Sequence, residues 1–356
     1  MGLPNINISF KNAAATATRR ASRGVVAVIL LDSAAGTAGA HVMTSDTQIP
    51  KELSVANKEY LSHVFLGYVN KPSKVIAYVL AADAEGLSAA LAYFATQKVN
   101  YVVGPPDCTT AQAAEIVTWV KAQRADKRTP KAIVPNTAAD NEGVINFTSD
   151  EIRVGDKIYT TSGYCGRIAG LIAGTPITIS CTYAELPEIA DVKRMTESEI
   201  DTAIDAGQFV IFHDGEKVKV GRGVNSLTTT TDQKNGSWKK IKIIEAKDMI
   251  EDDIRMLTQD NYIGKYSNTY DHKCLLITAI KEYFDQLETD GVLTAGKSSV
   301  ELDLEAQEAY LQGKGIDTSK LSEQEIKTAD TGSHVFLKAT VSIPDTIEDI
   351  NLDITF

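Results

Sequence analysis

The chain begins and ends with short alternating segments that need a sheet to pair with. Large apolar residues occupy every second position of these segments: Ile6, Ile8 and Phe10 near the start, and Ile350, Leu352, Ile354 and Phe356 at the end. Period-two alternation is typical of a strand with one buried face. Two interpretations are open. Each end adds an edge strand to its own domain, or each is exchanged between subunits and so covers an aggregation-prone edge.

Length and charge limit the class of protein. With 356 residues, the chain is longer than one hydrophobic core normally supports, so we expect two domains plus extensions. The net charge of −11 argues against nucleic acid as a partner, because phosphate binding needs a cationic surface. No apolar run approaches the roughly 18 residues of a membrane span. The apolar run at 25–31 follows a basic cluster as in a signal peptide, but we interpret it as a buried strand.

Strand and helix patterns alternate between residues 75 and 134. Apolar strands are predicted at 75–80, 101–103 and 132–134, with helices at 86–98 and 109–124 between them. Strands separated by helices of this length predict right-handed crossovers and a parallel or mixed sheet. The segments 25–31 and 143–147 are further strand candidates.

A stripe of small residues follows this region. Gly166, Gly170 and Gly174 recur at helical spacing, although each glycine lowers helix stability by about 1 kcal/mol. Such a stripe indicates close approach of another backbone, either inside the subunit or between subunits.

The remainder predicts a second domain of mixed helices and strands. A long strand is expected at 335–343, ended by Pro344, which cannot donate to a ladder. Its shared face comprises Val335, Leu337, Ala339, Val341 and Ile343. The alternation of Lys and Ile at 239–245 is also strand-like.

The predicted fold class is therefore α/β and α+β multidomain. An α/β domain is inserted toward the N-terminus, a C-terminal α+β domain follows, and extended β-arms lie at both ends. The predicted boundaries are 1–22 for the N-terminal arm and linker, 23–165, 166–343, and 344–356 for the C-terminal arm.

Catalytic patterns are lacking in this sequence. It has no phosphate-binding loop, no nucleophile elbow and no zinc-protease motif. The four cysteines are widely spaced, which predicts free thiols rather than a zinc site. The carboxylates at 248–253 are interpreted as the usual acidic first turn of a helix. We expect no catalytic residue, no cofactor and no metal.

Several stretches in the C-terminal half, together with the opening segment, carry a family resemblance. They are Gly221-Arg-Gly-Val-Asn-Ser-Leu-Thr-Thr, Trp238-Lys-Lys-Ile-Lys-Ile-Ile-Glu-Ala, Tyr262-Ile-Gly-Lys-Tyr-Ser-Asn, Gly291-Val-Leu, Ile347-Glu-Asp-Ile-Asn-Leu-Asp-Ile-Thr-Phe and Gly2-Leu-Pro-Asn-Ile-Asn-Ile-Ser-Phe. In order and spacing they resemble contractile tail sheath proteins, in particular the short sheaths of Gram-positive phages, PBSX-like defective prophages and R-type bacteriocins (tailocins).

The resemblance implies a structural subunit rather than an enzyme. Sheath subunits stack as hexameric rings around an inner tube, and their arms add strands to a sheet in neighbouring copies. Contraction from a metastable extended state drives the tube through a target cell envelope. Here the exchanged strands would be 6–10 and 350–356, and the receiving sheet would include 335–343. The helix at 273–288, with Lys273 and Lys281, is a candidate tube-facing surface.

Implied partners are further copies of the chain, the inner tail tube protein, and baseplate and tail terminator proteins. Neither nucleic acid nor membrane binding by the subunit is expected. The implied location is a virion or bacteriocin tail, assembled in the bacterial host cytoplasm. The alternatives are an α/β-fold enzyme or small-ligand-binding module, and an exported strand-exchanging polymer such as a surface-layer or fimbrial subunit, for which no signal peptide is evident.

Overall fold

The computed structural model describes residues 23–232 and 234–355, which form two compact units. The first, called here the α/β unit, contains residues 23–248 and 345–355. The second, called the C-terminal unit, contains Met249–Pro344. No helix of the described residues is long and apolar enough to cross a membrane.

The elements follow in chain order. The strands are β1 (Val25–Asp32), β2 (Gly39–Met43), β3 (Lys74–Ala81), β4 (Tyr101–Val103), β5 (Lys131–Pro135), β6 (Val144–Phe147), β7 (Ile152–Val154), β8 (Lys157–Tyr159), β9 (Gln208–Phe209), β10 (Ile211–His213), β11 (Val218–Val220), β12 (Ser299–Leu302) and β13 (Leu337–Thr340). The helices are α1 (Val55–Val64), α2 (Ser88–Ala95), α3 (Thr110–Ala125), α4 (Thr161–Ala173), α5 (Glu197–Asp205), α6 (Ile241–Asn261), α7 (Tyr270–Thr289), α8 (Leu304–Gly313) and α9 (Glu323–Thr328).

A seven-stranded sheet organises the α/β unit, in the order β2-β3-β1-β4-β5-β6-β9. All neighbours pair in parallel except β2, which runs antiparallel to β3. The run at 25–31 is the buried strand β1, as predicted. Even-numbered β1 residues pack with α1 and α4, and odd-numbered ones with α2 and α3. Both faces of the sheet are therefore covered by helices, as parallel sheets require.

The glycine stripe is an internal contact of the α/β unit. A Cβ added at Gly166 would lie 2.8 Å from the Tyr60 ring, and one at Gly170 would lie 2.0 Å from the carbonyl oxygen of Val64. Helix α4 thus packs directly against the backbone of α1, and this proximity requires glycine. Of the two interpretations of the stripe, the structure supports contact within the subunit.

The acidic segment at 248–253 does not form the first turn of a helix, because α6 already begins at Ile241. The prediction of strand-like structure at 239–245 is also wrong for most of that segment, since residues 241–245 open the same helix. Glu245 and Asp248 share a helix face and both bind the ammonium of Lys131, at 2.9 and 3.0 Å. Burial opposes ionisation of Asp248, but Lys131 and Arg124 outweigh it and hold the carboxyl pKa low. These buried ion pairs favour the helical arrangement.

The C-terminal unit is built on the later part of α6 together with α7, α8, α9 and the pair β12–β13. The hydroxyl of Tyr283 donates to the Asp253 carboxylate at 2.8 Å and so ties α7 to α6. The buried apolar residues of α7 include Ile280, Phe284 and Leu287. They lie three or four residues apart and form one stripe.

The two compact units divide the chain differently from the predicted domains. The predicted boundary at 165/166 falls inside α4, where Cys165 and Ile168 both belong to the core beneath the sheet. The chain passes from the α/β unit to the C-terminal unit within α6, at Asp248 and Met249, and back after Pro344. The fold class is nevertheless the predicted mixture of α/β and α+β structure.

Candidate inter-subunit surface

Strands β12 and β13 form an isolated antiparallel pair, although α8 and α9 lie between them in the chain. The pair is called here the receiving hairpin, after the role that the sequence predicts for 335–343. Residues 299–302 pair with 340–337, with Val300 opposite Ala339 and Leu302 opposite Leu337. A bond from Asp303 N to Phe336 O at 3.0 Å continues this register at one end, and Thr294 N donates to Ser342 O at 2.8 Å beyond the other end. The hairpin packs against α7.

Both outer edges of the receiving hairpin lack a strand partner among the residues that the structure describes. A two-stranded sheet is only marginally stable alone. An unpaired edge also presents backbone donors and acceptors to any further strand. Within the described residues, each edge is therefore a place where a further strand can form backbone hydrogen bonds.

Strand β13 is shorter than the predicted strand at 335–343. Only Leu337 and Ala339 of the predicted face lie within it. Val335, 40% exposed, and Val341 and Ile343 lie outside. The physical reason is that β12 spans only four residues, so a longer β13 has no ladder partner on that side.

The terminal segment carries an exposed apolar row. The exposed fractions are 78% for Ile350, 75% for Leu352 and 76% for Ile354. Residues 350–355 form no strand in the single chain, because no neighbouring strand pairs with them there. A row of large exposed apolar side chains marks an interaction site. Phe356 lies outside the described residues, as do Ile6, Ile8 and Phe10 of the N-terminal arm.

Lys273, predicted to face the tube, is buried. Its exposed fraction is 3%, and its ammonium lies 3.3 Å from Thr331 Oγ1 and 3.4 Å from Gln307 Oε1. Burial lowers its pKa. The prediction for Lys273 is therefore wrong, because an ammonium enclosed by α7, α8 and the segment before β13 cannot meet a tube. Lys281, on the same helix, has a side chain 57% exposed and remains a prediction.

Residues 81–226 match the phage tail sheath protein central domain, and residues 233–356 match the phage tail sheath C-terminal domain. The tail sheath protein of Clostridium phage phiCD119 is 38% identical over 357 residues, covering 99% of this chain and 98% of that protein. The chain belongs to the phage tail sheath family.

Solved sheath structures share this fold. The helical sheath of the anti-feeding prophage in its contracted state has a TM-score of 0.73 at 16% identity, covering all of this chain and 99% of that chain. A sheath tail protein from Listeria innocua has a TM-score of 0.69 at 16% identity, covering 83% of this chain and 92% of that chain. At such low identity the likeness concerns the fold.

As a sheath protein, the chain is a structural component of phage-type tails rather than an enzyme. The cysteines are free, and burial raises the pKa of Cys108 to about 12 and of Cys181 to about 12, which disfavours the reactive thiolate. Within residues 23–232 and 234–355, no group of three His, Cys, Asp or Glu side chains could hold a metal ion.

Two features of this surface, strand β12 and the contacts of the acidic segment 345–349, were not predicted from the sequence. Strand β12, Ser-Val-Glu-Leu, is the only partner of β13 in the described chain, yet it is too short for its alternation to be distinctive. The contacts of the acidic segment at 345–349 join residues more than 100 positions apart. The signal that was present is the charge pattern: a run of carboxylates in the tail of a chain with a basic segment at 239–242.

Proposed function

We propose that this sheath protein assembles as hexameric rings stacked around an inner tube, with the terminal arms exchanged between copies. Residues 350–356 of one copy would pair with an open edge of the receiving hairpin in another. Residues 6–10 would take the other edge. The observation that carries this proposal is that the described residues of one chain contain both a strand pair with no partner at either edge and a tail with an exposed apolar row.

Free energies favour a cooperative polymer over a pairwise joint. Each apolar side chain buried by the hairpin contributes roughly 1.5–3 kcal/mol, and each ladder hydrogen bond about 0.5–1.5 kcal/mol. Ordering the backbone costs about 1–2 kcal/mol per residue. Only every second arm residue is apolar, so one arm is marginal. Several arms acting together in a closed ring bind far more strongly, because each later joint forms at high effective concentration.

The energy for contraction would be stored during assembly, since the sequence has no nucleotide-binding motif. The extended lattice is then metastable and relaxes to a form with more contact between subunits. The tube is driven through the target envelope while the arms keep the lattice connected.

Stored energy predicts a difference in buried area between the two lattices. Structures of the extended and contracted polymer should show more inter-subunit area per copy in the contracted form, because apolar burial is the main favourable term in association. Equal buried areas in the two lattices would mean that no gain in inter-subunit contact drives contraction, and would contradict this part of the proposal.

Partners follow from the same arrangement. The tube protein would lie inside the rings, with Lys281 on α7 as a candidate contact, and baseplate and terminator proteins would close the two ends. Assembly would take place in the host cytoplasm, in a headed phage or a headless bacteriocin.

The arm can be tested with two matched triple variants. Replacing Ile350, Leu352 and Ile354 by Asn should abolish tubes in electron micrographs while thermal unfolding of the monomer stays unchanged, because these side chains are exposed in the single chain. The control replaces the alternate residues Asn351, Asp353 and Thr355 by Ser and should still give tubes. Tubes formed by the first variant would overturn the arm proposal.

A further inference from the structure

The C-terminal arm has a fixed root, called here the acidic root and comprising residues 345–349. Three carboxylates of this root bind cations of the α/β unit, to which the root itself belongs. Asp349 accepts from Arg222 at 2.6 Å, and Asp345 accepts from the ammonium of Lys240. These contacts stop at Asp349.

Glu348 is the most enclosed member of the root. Its side chain is 6% exposed. Its carboxylate accepts from the Thr182 hydroxyl at 2.7 Å and from the Lys240 ammonium at 3.0 Å, and Arg222 Nε lies 3.8 Å away. Isolated surface ion pairs contribute little. A buried carboxylate with a hydroxyl and two cations around it is held more firmly, because its bonds are charge-assisted and shielded from water.

The residues that receive Glu348 are themselves held rigidly, and we call Thr182, Arg222 and Lys240 the basic cradle. Val224 pairs with Lys240 in an antiparallel bridge. The amide of Ile241 donates to the Gly223 carbonyl at 2.9 Å, and the Gly223 amide donates to Thr182 Oγ1 at 3.0 Å. The cradle is thus built from three chain segments that are already joined to one another by hydrogen bonds.

Charges in this region balance across the contact. Besides Arg222 and Lys240, the buried side chain of Lys242 is attracted by the charges of Asp345 and Glu348. Three cations therefore neutralise the three carboxylates of the root. Burial opposes the charge on Lys240, but its hydrogen bonds with Asp345 and Glu348 outweigh this and raise its pKa. The match favours an acidic segment as the occupant of the cradle.

The root differs sharply from the strand-forming part of the arm. Ile347 points away from the cradle and is 87% exposed, and the apolar row beyond Asp349 is exposed as well. A row that must find another subunit is therefore attached to a root that is already ordered. Ordering the root in the free subunit removes its entropic cost from assembly.

We propose that the basic cradle is an intramolecular docking site for the acidic root, and that this docking sets the direction in which the C-terminal arm leaves the subunit. The arm then pivots after Asp349 rather than after Pro344. This inference rests on the strand exchange proposed above. Arg222 and Lys240 are positioning residues, since they act on the arm and not on the receiving hairpin.

Docking can be measured on the free subunit, because Glu348 is itself a cleavage site for a glutamate-specific protease. In the wild-type chain its burial should protect it. The double variant Arg222→Gln with Lys240→Gln should release the peptide 349–356 about tenfold faster, the scale expected for losing charge-assisted bonds. The single variant Lys240→Arg keeps the charge and should be as well protected from cleavage as the wild type. Lys217→Gln, which removes an exposed pair with Glu185 in the same unit, is the matched control.

The dependence of the cleavage rate on protein concentration shows whether the cradle holds the root of its own chain or that of a second copy. Cleavage that does not change on dilution supports docking within one chain. Faster cleavage on dilution would mean that a second copy supplies the root, and would overturn the intramolecular proposal. Equal cleavage of the double variant and the wild type would overturn docking altogether.

Electron microscopy of polymers tests the effect on direction. The double variant should give fewer and irregular tubes, while Lys240→Arg and Lys217→Gln give regular ones. Regular tubes from a double variant with rapid cleavage would overturn the directing role. A failure of the strand-exchange proposal gives a different result. In that case the variant with Asn at positions 350, 352 and 354 would still form tubes, and the protease result would be unchanged.

Discussion

His63 is a titratable side chain enclosed in the α/β unit. Its ring lies 5.2 Å from that of Tyr159 and 5.5 Å from that of Tyr164, centroid to centroid. Its buried Nδ1 has no hydrogen-bond partner among the described residues. Burial lowers the pKa of His63 below its ordinary value.

The charged neighbours of His63 act in both directions. Glu59 and Glu188 favour the protonated ring, whereas Arg167 and Lys157 oppose it, and burial remains the largest influence. Because the folded-state pKa is the lower one, the unfolded chain binds the proton more readily. Stability from the neutral ring is therefore present above about pH 6.5 and is lost as the pH falls toward the folded-state pKa.

Replacing His63 by Phe should reduce this acid sensitivity. Phe keeps the ring packing and removes both the titration and the unsatisfied nitrogen. Between about pH 7.5 and about pH 5, the Tm of His63→Phe should fall less than that of the wild type. The comparison at the higher pH reports the change in packing together with the loss of the unsatisfied nitrogen, since the wild-type ring is neutral there. Equal losses in the two proteins would show that His63 does not titrate against folding.

Among the elements, the contact between α1 and α4 makes the sharpest demand on sequence. Gly170→Ala would place a methyl group 2.0 Å from the Val64 carbonyl oxygen, so the helices would have to separate. We expect a loss of about 1–3 kcal/mol or more in the free energy of unfolding, as for other overpacked sites. Urea denaturation measures it.

Gly313→Ala is the matched control for this substitution. Gly313 is the last residue of helix α8, and beyond its chain neighbours and its own helix backbone no atom lies within 4 Å of an added Cβ. Alanine favours helix by about 1 kcal/mol over glycine, so the control should be neutral or stabilising. A Gly170→Ala variant as stable as its control would contradict close packing of the two helices.

How much of each element could be read from sequence depended on how local its determinants are. The parallel sheet and the glycine stripe were predictable because period and small side chains are local signals. The opening turns of α6 were not, since their helical form depends on Glu245 and Asp248 meeting Lys131, more than 100 residues away. The prediction that Lys273 faces the tube is wrong for a related reason. Helical spacing shows which residues share a face of α7, but it does not show which other segments pack on that face. The apolar row of the arm was predicted from its alternation, whereas strand β12 and the acidic root were not predicted.

At the scale of the whole molecule, two features stand out in the described part of the chain. Within residues 23–232 and 234–355, both edges of the receiving hairpin lack a strand partner, and the C-terminal segment exposes a row of apolar side chains. Each feature alone is an aggregation hazard. Together they are complementary, because strand addition satisfies the edge and buries the row in a single step. The arm strands would then pair only in the polymer, whereas a free copy would be folded but would keep its edges and its apolar row exposed.

Electron cryo-microscopy of the assembled particle tests this account most directly, by tracing the backbone beside β12 and β13. We predict that residues 350–356 of one neighbouring copy and residues 6–10 of another flank the hairpin. Arms folded back onto their own molecule, with no foreign strand at either edge, would contradict the account.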